Sequence, residues 1–391
     1  MSGPRSRRRG PSAGSAQPIC VVCAGGGGVG KTTTSAALAL ALARQGRATL
    51  IVTIDPARRL AGAMGVPITD EVTRVSLPAA RDKLSALMPD PRRSLRTFAE
   101  QLFEDEPEAK ARMLSNRLYV GLADAAAGVH ELVAMNLVAR AASRGDFEVV
   151  VIDTAPSRHA IDFVTYPARL AALLGGRTVA WLAGLAERGT AGPNDKSDKS
   201  DKPSGGILGW GAGRIEGLVA RVTGPNLVSD TARLFGDLAH VRERFVSLTE
   251  RAADLLLGPR SAYVLVAAPT RAARDDVLFL GRRLEKLGRK PQAIVMNRAD
   301  LGPLPYVRAL REGRDVPRSV LDAVSALEDE RASRAAAAAT LSGDLSKRMP
   351  KVPIVRLPFI EATAPEAIVS ALSEAIDDSL ETLLPKVPPN T

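Results

Sequence analysis

No stretch of the 391 residues approaches the about 18 uninterrupted apolar positions that a membrane-crossing helix needs, so no span is expected. Cysteine is almost missing. Cys20 and Cys23 are the only two, which excludes a disulfide framework. A signal-peptide core is lacking too: after the basic start MSGPRSRRRGPSAGSAQ, the apolar run Ile19 to Ala24 breaks at once into glycines, so a cytoplasmic protein is expected. Of the net charge of +10, four units come from Arg5, Arg7, Arg8 and Arg9. Residues 1–17 therefore read as a solvated, disordered basic tail. Such a tail can meet RNA, anionic lipid or an acidic partner, which leaves peripheral membrane association open, but no specific nucleic-acid binding is expected. The tail 385–391 is short and not amphipathic.

What is present has the composition of an ordinary globular chain, with 45% apolar and 25% charged residues. Six short apolar runs recur, each followed by a helical pattern: ICVVCA (19–24), ATLIVTID (48–55), FEVVVIDTA (147–155), SAYVLVAAP (261–269), KPQAIVMNR (290–298) and VPIVRLP (352–358). They are continuously apolar rather than alternating, as strands covered on both faces must be. The fold class this implies is α/β: a mostly parallel sheet with helices on both faces, and ligand groups at the carboxyl ends of the strands. Cys20 and Cys23 fall on the first strand, three residues apart and so facing opposite ways, which suits two small core residues better than a metal or redox pair.

Residues 18–384 read as one domain interrupted by two helical inserts, about 84–145 and about 165–258, the first without a clear strand. The second contains GPNDKSDKSDKPSGG (192–206), a flexible linker by composition. After it come ILGWGAGRIEGLVARV (207–222), a glycine-weakened amphipathic stretch, and a seam of Leu234, Leu238, Val241, Phe245, Leu248, Ala252 and Leu255 at helical spacing. Packing within its own domain is the default reading of that seam, a dimer or client surface the other.

The chemistry is concentrated in CAGGGGVGKTTT (23–34). Glycines at 25–28 and 30 remove Cβ atoms so that backbone N–H groups can ring an anion. The following helix aims its positive end at the same place. Gly26, Gly27, Gly28, Val29, Gly30, Lys31, Thr32 and Thr33 are thus the expected phosphate contacts, with Lys31 bridging the outer phosphates and the Thr32 hydroxyl ligating Mg²⁺. The expected cofactors are ATP and Mg²⁺. A magnesium ion needs a second anchor and hydrolysis needs a placed water. Asp153, ending VVVID, is expected to hold the ion through water. Asp55, ending TLIVTID, is expected at the same edge, at the ion and orienting the attacking water.

GGGGVGKTTT, TIDPARRLAGAMG and VVIDTAPSRHAIDF resemble, in order and spacing, the phosphate loop and the two switches of the ArsA-like P-loop ATPases, which include arsenite-pump subunits and the ATPase that targets tail-anchored proteins. The likeness continues through VAAPTRAARDDVLFLGRRLEKLG, VMNR and LPFIEATAPEAIVSAL. The resemblance implies an ATPase that couples switch motion to a hydrophobic client or a membrane partner. It also implies adenine contacts by Asn297 and the strand end near Pro269, and a homodimer or a hetero-oligomer with a related ATPase. Four departures accompany it. The family's extra lysine falls on Gly26, so Arg58, Arg59 or Arg158, or a related subunit, must supply that charge. No cysteine trio for arsenite exists. The zinc-linking C-x-x-C has no counterpart outside the first strand, so no structural zinc is expected. Thr270 stands where many relatives carry Glu. A partition-type positioning ATPase and a catalytically weak regulatory subunit are the alternatives.

Overall fold

The computed structural model describes residues 17–55, 59–116, 119, 127–155, 161, 165, 234, 236–238, 240–300, 307, 310 and 316–386. In chain order the elements are β1 (Ile19–Ala24), α1 (Lys31–Arg44), β2 (Thr49–Thr53), α2 (Arg59–Met64), β3 (Thr73–Arg74), β4 (Leu84–Leu87), α3 (Pro91–Leu102), α4 (Pro107–Ser115) and α5 (Ala127–Ala142). Then follow β5 (Val149–Asp153), α6 (Arg242–Leu257), β6 (Ser261–Ala267), α7 (Arg271–Lys286), β7 (Ala293–Asp300), α8 (Arg318–Arg348), β8 (Ile354–Pro358), α9 (Pro365–Ile376) and α10 (Leu380–Leu383). Two compact units result: Met1–Pro89, Val138–Asp162 and Asp254–Thr391 form a sheet unit, and Asp90–Leu137 with Phe163–Ala253 a helical unit.

The sheet unit holds eight strands in the order β3-β4-β2-β5-β1-β6-β7-β8, parallel except for the β3–β4 pair. Every residue of β1, β2, β5 and β6 is buried, which is why these runs contain no polar alternation. α1 is just as apolar: Ala36 through Ala43 are all buried, so the helix that leaves the phosphate loop is core on nearly every side. The strand ends fall in register. Asp153 pairs with Cys23 of β1 on one side and with Thr53 of β2 on the other, so three strand termini meet at one carboxylate.

One expectation needs correction. The segment from residue 84 was read as helical and strandless, yet Leu84–Leu87 forms β4, pairing parallel with Thr49 to Val52 and antiparallel with β3. Four residues are too few to show a period, and what makes them a strand is the unpaired edge of β2 far away in sequence.

In the helical unit, Asp90 caps α3 by accepting from the Arg93 N–H at 2.8 Å, with Pro91 in the first turn, where its missing N–H costs nothing. Leu95, Phe98, Leu102, Phe103, Met113, Tyr119 and Val133 form one apolar cluster with Leu234, Val241 and Phe245. The rings of Phe98 and Phe245 meet edge to face at 5.7 Å, and the Tyr119 hydroxyl donates to the Leu95 carbonyl at 2.6 Å. The seam read at 234–255 therefore packs inward: Leu238 and Leu248 lie against that cluster, and Ala252 and Leu255 are buried. The stretches 192–206 and 207–222 lie outside the described residues. Among the described residues no helix is long and apolar enough to cross a membrane.

Candidate nucleotide site

β1 delivers the chain to the loop at Gly25, where a Cβ would overlap the Val266 carbonyl of β6, so only glycine lets the chain leave the sheet this close to its neighbour. The loop closes at Gly30, whose φ of 90° lies in the left-handed region and whose side would collide with the Asn297 amide. α1 then begins at Lys31 with no side-chain cap and no acidic residue in its first turn. Its leading N–H groups and the positive end of its dipole are therefore left for an anion.

Lys31 is buried, and its Nζ donates to the Gly26 carbonyl at 2.7 Å, folding the side chain back along the loop. Burial pulls its pKa down, while Asp153, Asp55 and Asp276 act to hold it charged. Asp153 is fully buried and is surrounded by hydroxyls. Thr32 Oγ1 donates to its Oδ2 at 2.9 Å, Thr53 Oγ1 to the same oxygen at 3.1 Å, and Ser35 Oγ to Oδ1 at 3.4 Å. Burial pushes this carboxyl up to about 6, against the opposing pull of the two threonines and Lys31. Asp55, also buried, is fixed through its own backbone: its N–H donates to Thr53 Oγ1 at 3.2 Å. Thr53 thus links the two aspartates. Arg59, half-exposed at the start of α2, places Nη1 3.5 Å from Asp55 Oδ2.

The structure thus gathers Lys31, Thr32, Asp55 and Asp153 at one sheet edge, together with Arg59. Arg58 and Arg158 lie outside the described residues. Asn297 is drawn to the same loop: its Nδ2 donates to the Val29 carbonyl at 2.9 Å, and its Oδ1 accepts from the Arg298 N–H at 3.0 Å, where Arg298 turns to a φ of 58°. Pro269 has different surroundings. It lines a cavity of about 780 Å³ with Thr270, Arg271 and Arg274 of the α7 start and Thr340, Asp344 and Lys347 of α8, and no residue of the loop lines that cavity. Both thiols of β1 are buried, and burial drives each up to about 12.

Sequence reasoning missed Thr53, Ser35 and Asp276. The first two had a signal. Thr53 stands two residues before Asp55, and Ser35 lies one helical turn beyond Lys31. Asp276 had none, because only the crossover from β6 through α7 carries it to the loop.

A buried carboxylate beside a helix-first-turn hydroxyl, with a second carboxylate one strand away, is an oxygen donor set for a small hard cation such as Mg²⁺. The glycine loop, open helix end and buried lysine have the arrangement that P-loop proteins use to cradle phosphate. Comparison with known proteins narrows the class. The family model for anion-transporting ATPases of the ArsA type matches residues 19–187. ATPase GET3 of Mycosarcoma maydis is 32% identical over 166 residues, 41% of this chain and 47% of that protein. ATPase GET3 of Malassezia globosa is 34% identical over 150 residues, 38% and 43% of the two chains. ATPase get3 of Schizosaccharomyces pombe is 32% identical over 151 residues, 39% and 42%. This chain spans about half the length of the curated relatives it matches. The likeness to the ArsA-type family model thus runs over residues 19–187, which carry the glycine loop, Asp55 and Asp153.

Proposed function

We propose that this protein binds and hydrolyses ATP and uses the resulting switch motion to take up and release a hydrophobic client or a membrane partner. The observation that carries the reading is the Thr32–Asp153 hydrogen bond at the open end of α1, with Lys31, Thr53 and Asp55 around it. Lys31 leaves the Gly26 carbonyl for the outer phosphates, so its ammonium offsets charge on the transferred phosphoryl group. Thr32 and Asp153 would hold Mg²⁺, the aspartate through water, and Asp55 would stand at the ion's edge. The ion would supply charge neutralisation between the outer phosphates. Asp55, held rigid through Thr53, orients the attacking water and accepts its proton. Arg59, next to Asp55, is the described arginine best placed to supply the cation missing at Gly26. Asn297, already against the loop, and Pro269, at the end of β6, are the candidates for the base.

The segments following Asp55 and Asp153 are the ones that would move when the outer phosphate leaves. A homodimer, or a pair with a related ATPase, is the assembly such a site suits. The test is calorimetry of Mg²⁺-dependent ATP uptake with Lys31→Ala as control, followed by affinity capture with an Asp55→Asn form held in ATP. Uptake that survives Lys31→Ala would remove the reading. A second reading, a weakly catalytic regulatory subunit, draws on Gly26, which brings no charge to the loop. Steady-state turnover at the background rate, with normal uptake, would favour it.

A further inference from the structure

Gly26 is buried although Gly27 and Gly28 beside it are exposed. What covers it is Asp276, one turn into α7: a Cβ built on Gly26 would run into Asp276 Oδ2, with the carboxyl carbon close behind. The contact has two consequences. No side chain, charged or not, fits at position 26 while Asp276 stays where it is. And a carboxylate lies against the residue whose carbonyl receives the Lys31 ammonium at 2.7 Å, so its charge is felt where Lys31 meets the outer phosphates. Among the acids acting on Lys31, Asp153 and Asp55 are the proposed ion ligands, whereas Asp276 comes from a different crossover and has no such task.

We propose that Asp276 is a specificity-determining residue of the phosphate loop: packed on Gly26, it occupies the space a side chain there would need and penalises the more highly charged triphosphate relative to the diphosphate. This rests on the nucleotide-binding reading above. The physics is Coulombic. ATP carries about one more negative charge than ADP at the end nearest Lys31. A fixed carboxylate several ångströms away, at the effective dielectric of a half-buried surface, discriminates between the two by about tenfold. The device keeps ATP from binding too firmly to be exchanged in a loop whose glycines and lysine would otherwise hold it tightly.

The experiment titrates the full-length protein with ATP and with ADP, each with Mg²⁺, by calorimetry, for wild type and Asp276→Asn. The expected result is that the ratio of ADP to ATP dissociation constants rises about tenfold in Asp276→Asn, since ATP gains more than ADP. Equal shifts for both nucleotides, or none, overturn the proposal, because a merely structural role moves both alike. Gly26→Ala addresses the steric half: it weakens uptake of both nucleotides about tenfold or more, and the double variant Gly26→Ala/Asp276→Ala returns to within about threefold of Asp276→Ala alone. Failure of the double variant to recover overturns that half, and should Gly26→Ala not fold, recovery of folding in the double variant reads the same contact. No nucleotide uptake by wild type would remove both this inference and the function it rests on. Uptake with an unmoved ratio removes this inference alone.

Discussion

The sheet unit and the helical unit bury the same kinds of side chain under different constraints. In the sheet unit β1, β2, β5 and β6 are buried on both faces and α1 is buried almost all round, so position is fixed by backbone register as much as by side-chain fit. In the helical unit α3 is amphipathic, with Ser94, Leu95, Phe98, Ala99 and Leu102 inward and arginines outward, and its order comes from side-chain contacts such as Phe98 on Phe245. Only the first arrangement sets a carboxylate by register between two neighbouring strands. That is where the proposed nucleotide chemistry sits. The second is held together by a few aromatic and leucine contacts.

Deleting a ring in the helical unit is expected to have the largest effect. Phe98→Ala removes the partner of Phe245 and leaves a cavity, costing about 3–5 kcal/mol in that unit. Hydrogen exchange should rise over 91–115 and 242–257 while ATP uptake stays within about threefold of wild type. Loss of uptake in parallel would break the separation drawn between the two units. The converse variant, Lys31→Ala, should lower ATP affinity on the order of 100-fold, as expected for losing a charged contact to phosphate. Its circular dichroism and the exchange pattern of the helical unit should not change.

A subtler effect concerns Asp153. Its carboxyl is raised from 3.8 to about 6, so the folded state favours the protonated form. The stability this gives is fully present below the unfolded value near 4 and is lost as pH rises through about 6. Metal-free wild type measured against Asp153→Asn should therefore lose about 2–3 kcal/mol between pH 4 and pH 7. Addition of Mg²⁺ and ATP should flatten the difference. A flat metal-free difference would show that the hydroxyls of Thr32, Thr53 and Ser35 fully compensate for burial. The smallest effect is a null one. With both thiols buried and raised to about 12, Cys20 and Cys23 should resist iodoacetamide at pH 8 until the protein is unfolded. Labelling of the native protein would show that β1 opens.

The runs ICVVCA, TLIVT, VVVID, SAYVLVA and AIVMN could be recognised as strands because a doubly covered strand is apolar nearly throughout, whereas IVRLP, at the sheet edge, alternates buried and exposed positions around Arg356. Lys31, Thr32, Asp55 and Asp153 could be picked out because a phosphate loop and strand-end acids have few other uses. β4 could not: LSAL is a strand only because β2 offers it an edge. Thr53 and Ser35 were legible in hindsight from strand and helix periodicity. Asp276 was not, since one carboxylate in the helix RAARDDVLFLGRRLEK looks like any solvated charge until the fold sets it on Gly26.

By itself, then, the order of residues decided that a glycine loop would follow a buried strand and open a helix, and that two acids would end other strands. These are local consequences of missing Cβ atoms and unbroken apolar runs. Folding in three dimensions decided that Asp153 would sit between Cys23 and Thr53 and that α7 would lower a carboxylate onto the loop. Register and crossover packing join residues a hundred or more positions apart, and no nearby pattern in the chain records which of them will touch.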